Sequence, residues 1–102
     1  MRRFTVIVED DAQRDLDEIG DRRVYAAIEN KIDRLEADPD KQGKPLRKDL
    51  TTYRSIRAAQ GRYRVIYQVA MVEGLVMVVV VGIRAKGDRR DVYRRANRRL
   101  LE

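Results

Sequence analysis

The sequence predicts an α+β fold with the element order β-α-α-β-β-β-α. Three observations predict it. Apolar side chains recur at helical spacing between Ala12 and Leu35, and from Tyr53 onward the period falls to two. Leu75 to Ile83 is then a near-continuous β-branched run, the composition of an interior strand. With 102 residues, the chain is expected to form one domain, residues 1–102, around one core.

Each element has its own signal. Phe4 to Val8 is aromatic and β-branched and reads as a strand. Asp10 or Asp11 offers an N-cap to a short helix carrying Ala12, Leu16 and Ile19 on one side. Gly20 ends it and Asp21 caps the next. That helix has Val24, Ile28, Ile32 and Leu35 on one stripe and charge on the other. Asp38-Pro39 closes it, and the two helices are expected to pair as a hairpin. Residues 38–52 read as a loop broken by Pro39, Gly43 and Pro45 and anchored by Leu46 and Leu50.

Beyond the loop, Tyr53 opens a strand that turns at Gly61. Arg62, Arg64, Ile66 and Gln68 then share one strand face, with Tyr63, Val65, Tyr67 and Val69 on the other. Glu73-Gly74 is a hairpin turn into the Leu75 strand. Gly87-Asp88 is expected to open a last helix with Val92, Ala96 and Leu100 inward.

Composition narrows the function classes. Charged residues make up 39% of the chain and hydrophobic ones 43%, the profile of a folded domain with a densely charged exterior. The chain contains no cysteine and no histidine, so no zinc site, other metal or cofactor is expected. The absence of thiols suits a reducing cytoplasm. Neither a signal peptide nor a membrane span is read, because the apolar stretches are too short. Residues 1–40 carry a net charge of −5 and residues 41–102 one of +11, which favours a polyanionic partner over a small-molecule ligand or a membrane.

Without histidine no Ser–His or Cys–His nucleophile pair can be drawn. The acidic residues cluster early, on polar helix faces, and read as solvated surface. What remains is arginine, tyrosine and lysine. Strand parity turns Arg64 away from Tyr63, Val65 and Tyr67, and Arg57, just before the Gly61 hairpin, can stand beside it. Arg84 ends the Leu75 strand, and Tyr93 falls in the first turn of the last helix. Guanidinium groups bind phosphate bidentately, and a phenol can stack on a base or transfer a proton. Arg57, Arg64, Arg84 and Tyr93 are therefore the candidate catalytic set, with Arg54, Lys48, Lys86, Arg90 and Arg94 as further RNA contacts. Arg62 reads as a surface residue, and Tyr63 and Tyr67 as core.

Along Gly43-Lys44-Pro45-Leu46, Arg62-Tyr63-Arg64-Val65-Ile66-Tyr67, Val81-Gly82-Ile83-Arg84 and Asp91-Val92-Tyr93, the chain resembles the RelE/ParE toxin superfamily of bacterial type II toxin–antitoxin systems. The resemblance implies an antiparallel sheet with an N-terminal helical hairpin packed on it and a C-terminal helix. For RelE-type members it implies metal-independent cleavage of mRNA in the ribosomal A site, by attack of the RNA's own 2′-hydroxyl. By position, Arg64, Arg84 and Tyr93 match family site residues. Arg57 stands where the family has a lysine, and Ser55 at a second lysine position unless a bulge brings Arg54 there. Arginine does not give up its proton, so Arg57 cannot replace a lysine base. Tyr93, Lys48 or Lys86 would then move the proton. The implied partners are a cognate antitoxin, the ribosome and mRNA, with the basic last helix on ribosomal RNA. The alternatives are a ParE-type poison of DNA gyrase and an inactive RNA-binding relative.

Overall fold

In the computed structural model, which describes residues 2–102, the chain builds a five-stranded sheet between two helical layers. Met1, counted in the expected domain, lies outside the described residues. Strand β1 (Thr5–Val8) turns Val6 and Val8 inward and leaves Thr5 and Ile7 exposed. Helix α1 (Asp10–Asp17) follows directly. Its N-cap is Glu9, not an aspartate, and Asp10 and Asp11 occupy the first turn, where their charge meets the positive end of the helix dipole. Helix α2 (Arg22–Asp33) is capped as its sequence predicts: the Asp21 carboxylate accepts from the amides of Arg23 at 2.8 Å and Val24 at 3.2 Å.

Residues 38–52 are more structured than a loop. They hold two 3-10 turns, Pro39–Lys41 and Lys48–Leu50, and a two-residue strand β2 (Lys44–Pro45). Two side chains pin this segment. The Tyr67 hydroxyl donates to the carbonyls of Pro39 and Gln42, both at 2.9 Å, and Arg54 Nε donates to Gln42 at 2.8 Å. Burial pushes the Tyr67 phenol above its ordinary pKa, against a smaller opposing effect of Arg54. Gly43 lies at φ +62°, and a Cβ there would stand 2.4 Å from the Ser55 carbonyl oxygen, so only glycine lets the segment close on the sheet.

Strands β3 (Tyr53–Ala58), β4 (Tyr63–Ala70) and β5 (Leu75–Ile83) form the antiparallel centre, and the full order is β1-β5-β4-β3-β2. The sheet is mixed, not wholly antiparallel, because β1 pairs parallel with β5 from Thr5↔Leu75 to Val8↔Val78. Helix α1 forms part of the crossover that such a parallel pair requires. A register shift between Ile66 and Tyr67, where β4 meets β5, leaves Val79 and Val80 on the same side of β5. Helix α3 (Val92–Leu101) starts four residues after Asp88, because Gly87–Arg90 form turns and Asp91 is the N-cap. No helix among the described residues is long and apolar enough to cross a membrane.

The hairpin α1–α2 covers one sheet face, packing Leu16 and Ile28 against Ile56, Val65, Tyr67 and Val78; Leu35, expected on the α2 stripe, joins them from a separate 3-10 turn, Arg34–Glu36. Helix α3 lies on the other, packing Val92 and Ala96 against Ile66 and Val80. The two layers meet at the edge of β5. Pairing with β1 stops where the Glu9 amide donates to Val78, so the next residues of β5 have no neighbouring strand on that side. Side chains replace it. Asp15 accepts from the Val81 amide at 2.9 Å, Arg95 donates to the Val81 carbonyl at 3.1 Å, and Arg99 donates to the Val79 carbonyl at 2.9 Å. Arg95 and Arg99 also bind Asp15 itself, at 2.9 and 2.8 Å. The expectation that the early acidic residues are all solvated surface therefore fails at Asp15, which is 5% exposed. An otherwise orphaned buried amide and two guanidinium groups account for its burial.

Candidate functional site

The face of the sheet under the N-terminal end of α3 carries the candidate residues. Along β3, Ser55 and Arg57 project to this face and Ile56 and Ala58 to the hairpin side. Arg57 is paired directly with Arg64 on β4, and Arg64 with Gly82 on β5. Opposed residues on such strands have Cα atoms about 4.5–5.5 Å apart, so the two arginines stand side by side. Arg84 follows Gly82 by two residues, roughly 6.6 Å of strand. Its amide donates to the Arg62 carbonyl at 2.7 Å, keeping the chain on the sheet to that point.

Gly82 lets α3 come close. A Cβ there would meet the Val92 side chain at 3.2 Å, tighter than ordinary packing. With α3 seated, the Tyr93 and Ser55 hydroxyls hydrogen-bond at 2.9 Å, and the Arg84 guanidinium lies 4.8 Å from the centre of the Tyr93 ring. Ser55–Arg57–Arg64–Gly82–Arg84–Tyr93–Ser55 is thus a closed circuit of neighbours across three strands and a helix.

Two of the three arginines are held. Arg64 Nη1 donates to the carbonyls of Gly61 at 2.6 Å and Tyr63 at 3.1 Å. The turn that offers Gly61 is left-handed at Ala59 (φ 51°) and Gln60 (φ 59°). Arg84 Nη1 donates to Asp91 at 2.7 Å, and the same carboxylate accepts from the Ala85 amide at 2.7 Å and caps α3 by accepting from the Tyr93 amide at 3.1 Å. Burial of Asp91 works to raise its pKa, but the hydrogen bonds from Arg84, Ala85 and Tyr93, with the charge of Arg84, outweigh it and leave the carboxyl below its ordinary range. Arg57 is exposed, and among the described residues neither Arg57 nor Arg64 has an ion-pair partner. Two like charges facing each other across a strand pair destabilise the sheet. An anion between them would reverse that sign, and the fork of each guanidinium fits phosphate oxygens.

The remaining candidates separate. Arg54 lies on the opposite face from Ser55 and spends its guanidinium on the carbonyls of Gln42 and Gly43, so it is a brace for the 38–45 segment and is withdrawn as an RNA contact. Pairing of β3 with β4 runs without a shift from Tyr53 to Ala58, so no bulge moves Arg54 toward the site and Ser55 holds that position. Lys48 is exposed in the 3-10 turn before Leu50, and Lys86 is exposed just past Arg84. Arg90 is turned onto Asp88 by two side-chain bonds, at 3.2 and 3.1 Å, and with its amide pulls that carboxyl down to about 2. Arg94 is exposed on the outside of α3.

Asp91 was not among the residues expected at the site. Its signal was there: an aspartate directly before an apolar helical stripe is an N-cap pattern, and here the cap also holds an arginine. The Ser55–Tyr93 bond had no such signal, since it joins residues 38 apart.

Comparison with known proteins agrees with this fold. The sequence model of the ParE toxin of type II toxin–antitoxin systems (parDE) matches residues 6–88, stopping short of α3. Toxin RelG of Mycobacterium tuberculosis is 34% identical over 92 residues, 90% of this chain and 98% of that protein. Among solved structures, the toxin–antitoxin complex RelBE2 of M. tuberculosis matches with a TM-score of 0.70 and 31% identity, covering 80% of this chain and 99% of the matched one. The free E. coli RelE toxin, as a mutant, shares the fold with a TM-score of 0.73 at 22% identity, over 97% and 99% of the two chains. This chain therefore belongs to the RelE/ParE superfamily of type II toxin–antitoxin toxins.

Proposed function

We propose that this toxin is an endoribonuclease that cuts mRNA on the ribosome and so stops translation. The observation that carries the reading is the opposed Arg57–Arg64 pair, without carboxylate partners, beside the Arg84–Tyr93 stack. Arg57 and Arg64 bind the scissile phosphate and stabilise the charge that develops on it. The 2′-hydroxyl oxygen of the upstream nucleotide attacks the phosphorus, and the bond to the 5′ oxygen of the next nucleotide breaks. A cyclic 2′,3′-phosphate and a free 5′-hydroxyl result. One proton leaves the attacking hydroxyl and one reaches the departing oxygen. Tyr93 is the group here that can carry a proton, with Ser55 as its hydrogen-bond partner, and Arg84 holds its ring. The arginines stay charged throughout. RelBE2 is a complex of toxin and antitoxin, and the corresponding partner here is a cognate antitoxin that suppresses the activity.

Primer extension on a defined mRNA in a cell-free translation mixture tests this, with purified protein and with and without ribosomes. Cuts at in-frame codons only under translation are expected. They should disappear with Arg84→Ala, which also should abolish growth inhibition. No cuts, or undiminished toxicity of Arg84→Ala, would refute the reading. The match to the ParE model, which ends before Tyr93, favours one other reading, poisoning of DNA gyrase. Inhibited supercoiling with intact mRNA would establish it.

A further inference from the structure

We infer that Lys44, on the edge strand β2, is a further catalytic residue, whose amine takes the proton of the attacking 2′-hydroxyl. The inference rests on the ribonuclease reading above and deepens it. Cleavage moves two protons, and Tyr93 can serve only one end of the reaction at a time. Arg57, Arg64 and Arg84 keep their protons and cannot serve the other.

Strand register brings Lys44 to the site. Lys44 is paired directly with Ser55, and Pro45 with Arg54. Opposed residues of an antiparallel pair project to the same face, so Lys44 shares the face of Ser55, whose hydroxyl meets that of Tyr93 at 2.9 Å. Its neighbours agree. Leu46 and Tyr53 both pack into the α3 layer, and the Leu46 amide donates to the Tyr53 carbonyl at 2.9 Å. Residues two apart along a strand share a face, so Lys44 lies on the α3 side with Leu46. Hydrogen-bonded pairs of this kind have Cα atoms about 5.5 Å apart, and the diagonal neighbour on that face, Arg57, is about 7–8 Å away. Both distances are within reach of a long, flexible lysine stem.

The backbone around Lys44 is fixed while its charge is left free. The Tyr67 hydroxyl and Arg54 Nε hold the Gln42 carbonyl, and Arg54 Nη2 donates to the Gly43 carbonyl at 3.2 Å. Gly43 then closes on Ser55, and the Leu46 amide fixes the far side. Lys44 itself is exposed, and among the described residues it has no ion-pair partner. A lysine on an edge strand also discourages pairing with a further strand, but Pro45, which has no amide hydrogen, already does that here. Lys48 and Lys86, by contrast, lie outside the paired strands that build the site.

The proton transfers then balance. The Lys44 amine takes the 2′-hydroxyl proton: an O–H bond breaks, an N–H bond forms, and the oxygen's electron pair attacks phosphorus. The departing 5′ oxygen leaves with the electrons of its bond to phosphorus and takes the Tyr93 hydroxyl proton. The Lys44 ammonium then returns a proton to the Tyr93 oxygen through the Ser55 hydroxyl, which can donate and accept at once. Both groups end as they began, and no co-reactant is consumed.

Single-turnover cleavage of mRNA in the A site of a programmed ribosome, followed across pH, tests this. Lys44→Met should slow cleavage on the order of a hundredfold or more and flatten the rise of rate with pH. Lys44→Arg keeps the charge but not the releasable proton, and should be slowed and flattened in the same way. Lys41→Gln, an equal loss of charge from the preceding 3-10 turn, should keep the wild-type rate and profile. Thermal unfolding should be unchanged in all three, since both lysines are exposed. A Lys44→Arg protein that cuts at the wild-type rate would show that charge alone matters and overturn the inference, as would an unimpaired Lys44→Met. Equal slowing in Lys41→Gln would mean a diffuse field and overturn it too. In each of these cases the wild type still cuts, and the inference alone fails. A wild type that leaves mRNA intact would remove the ribonuclease reading and this inference with it.

Discussion

Asp15→Ala should be among the most destabilising single changes in this protein, although it lies outside the candidate catalytic set. The substitution removes the acceptor of the Val81 amide, whose residue is fully buried, at a cost of about 1–3 kcal/mol for an unsatisfied donor. It also strips the shared carboxylate from Arg95 and Arg99. Removing one partner of a buried ion pair costs about 3–5 kcal/mol in all. The two arginine side chains remain 25% and 23% exposed, so water reaches them and the lower end applies, about 3 kcal/mol. For a domain of this size that lowers Tm by roughly 12–24 °C, a large part of a total stability of about 5–15 kcal/mol. Circular dichroism followed through heating and through urea measures it. Asp15→Asn keeps an acceptor for the amide and should cost less. Asp11→Ala is the control, because Asp11 is 53% exposed and its pair with Arg14 is solvated, so the loss should stay within about 1 kcal/mol. An Asp15→Ala protein within about 1 kcal/mol of wild type would refute the argument that these side chains substitute for a missing strand.

Gly82→Val should lower stability by about 1–3 kcal/mol through overpacking against Val92 and reduce toxicity with it, read by urea denaturation and growth assay. Arg57→Lys places a group that can lose a proton beside the charge of Arg64. If lack of a base limits the rate, single-turnover cleavage should rise by about tenfold or more and steepen with pH, whereas a pure clamp would slow. The pH response of Asp91 has a definite sign. Its folded pKa lies below the unfolded value of about 3.9, so its contribution is complete above that value and is lost as pH falls below it. The stability gap between wild type and Asp91→Asn should therefore be flat near neutral pH and close below about pH 4. In the β3–β4 turn, Ala59→Asn with Gln60→Gly suits both left-handed positions and should raise stability by roughly 1 kcal/mol, seen as a higher urea midpoint.

Local regularities made most of the fold legible. The stripe Val24–Ile28–Ile32–Leu35 and the Asp21 cap defined α2 because both signals lie within a few residues of each other. The strand alternation of Tyr63 to Tyr67 worked for the same reason, and so did the pairing of Arg57 with Arg64 through the Gly61 hairpin. What escaped depends on contacts between distant residues. Parallel pairing of β1 with β5 leaves no mark in either strand's composition. Asp15 has the same local setting as its solvated neighbours Asp11 and Asp17, and only the unpaired edge of β5, 66 residues on, gives it a partner. Gly87-Asp88 looked like a helix start because Gly and Asp are common at both turns and caps; the turn took them, and Asp91 became the cap.

Once the contacts are known, the arginines sort themselves by physical role. A guanidinium that already has a carboxylate and a carbonyl, as Arg95 and Arg99 have, is part of the fold: binding an anion there would mean first breaking bonds to Asp15. A guanidinium beside another one without a carboxylate, as Arg57 is beside Arg64, carries an electrostatic penalty that a bound anion relieves. Arg84 belongs to both groups. One nitrogen is committed to Asp91, which fixes the plane of the guanidinium over Tyr93, and the other donors remain for a ligand. That double duty explains why a carboxylate sits so close to the proposed anion-binding surface. Asp91 lowers the local charge, but it is buried and its lone pairs are taken by Arg84, Ala85 and Tyr93, so what it presents to a phosphate is orientation more than repulsion. Asp91→Asn keeps the shape and lowers the charge-assisted grip on Arg84. If orientation is what matters, cleavage should fall in kcat while KM holds or improves. A rise in kcat would mean that the carboxylate acts as a brake on anion binding and that this assignment is wrong.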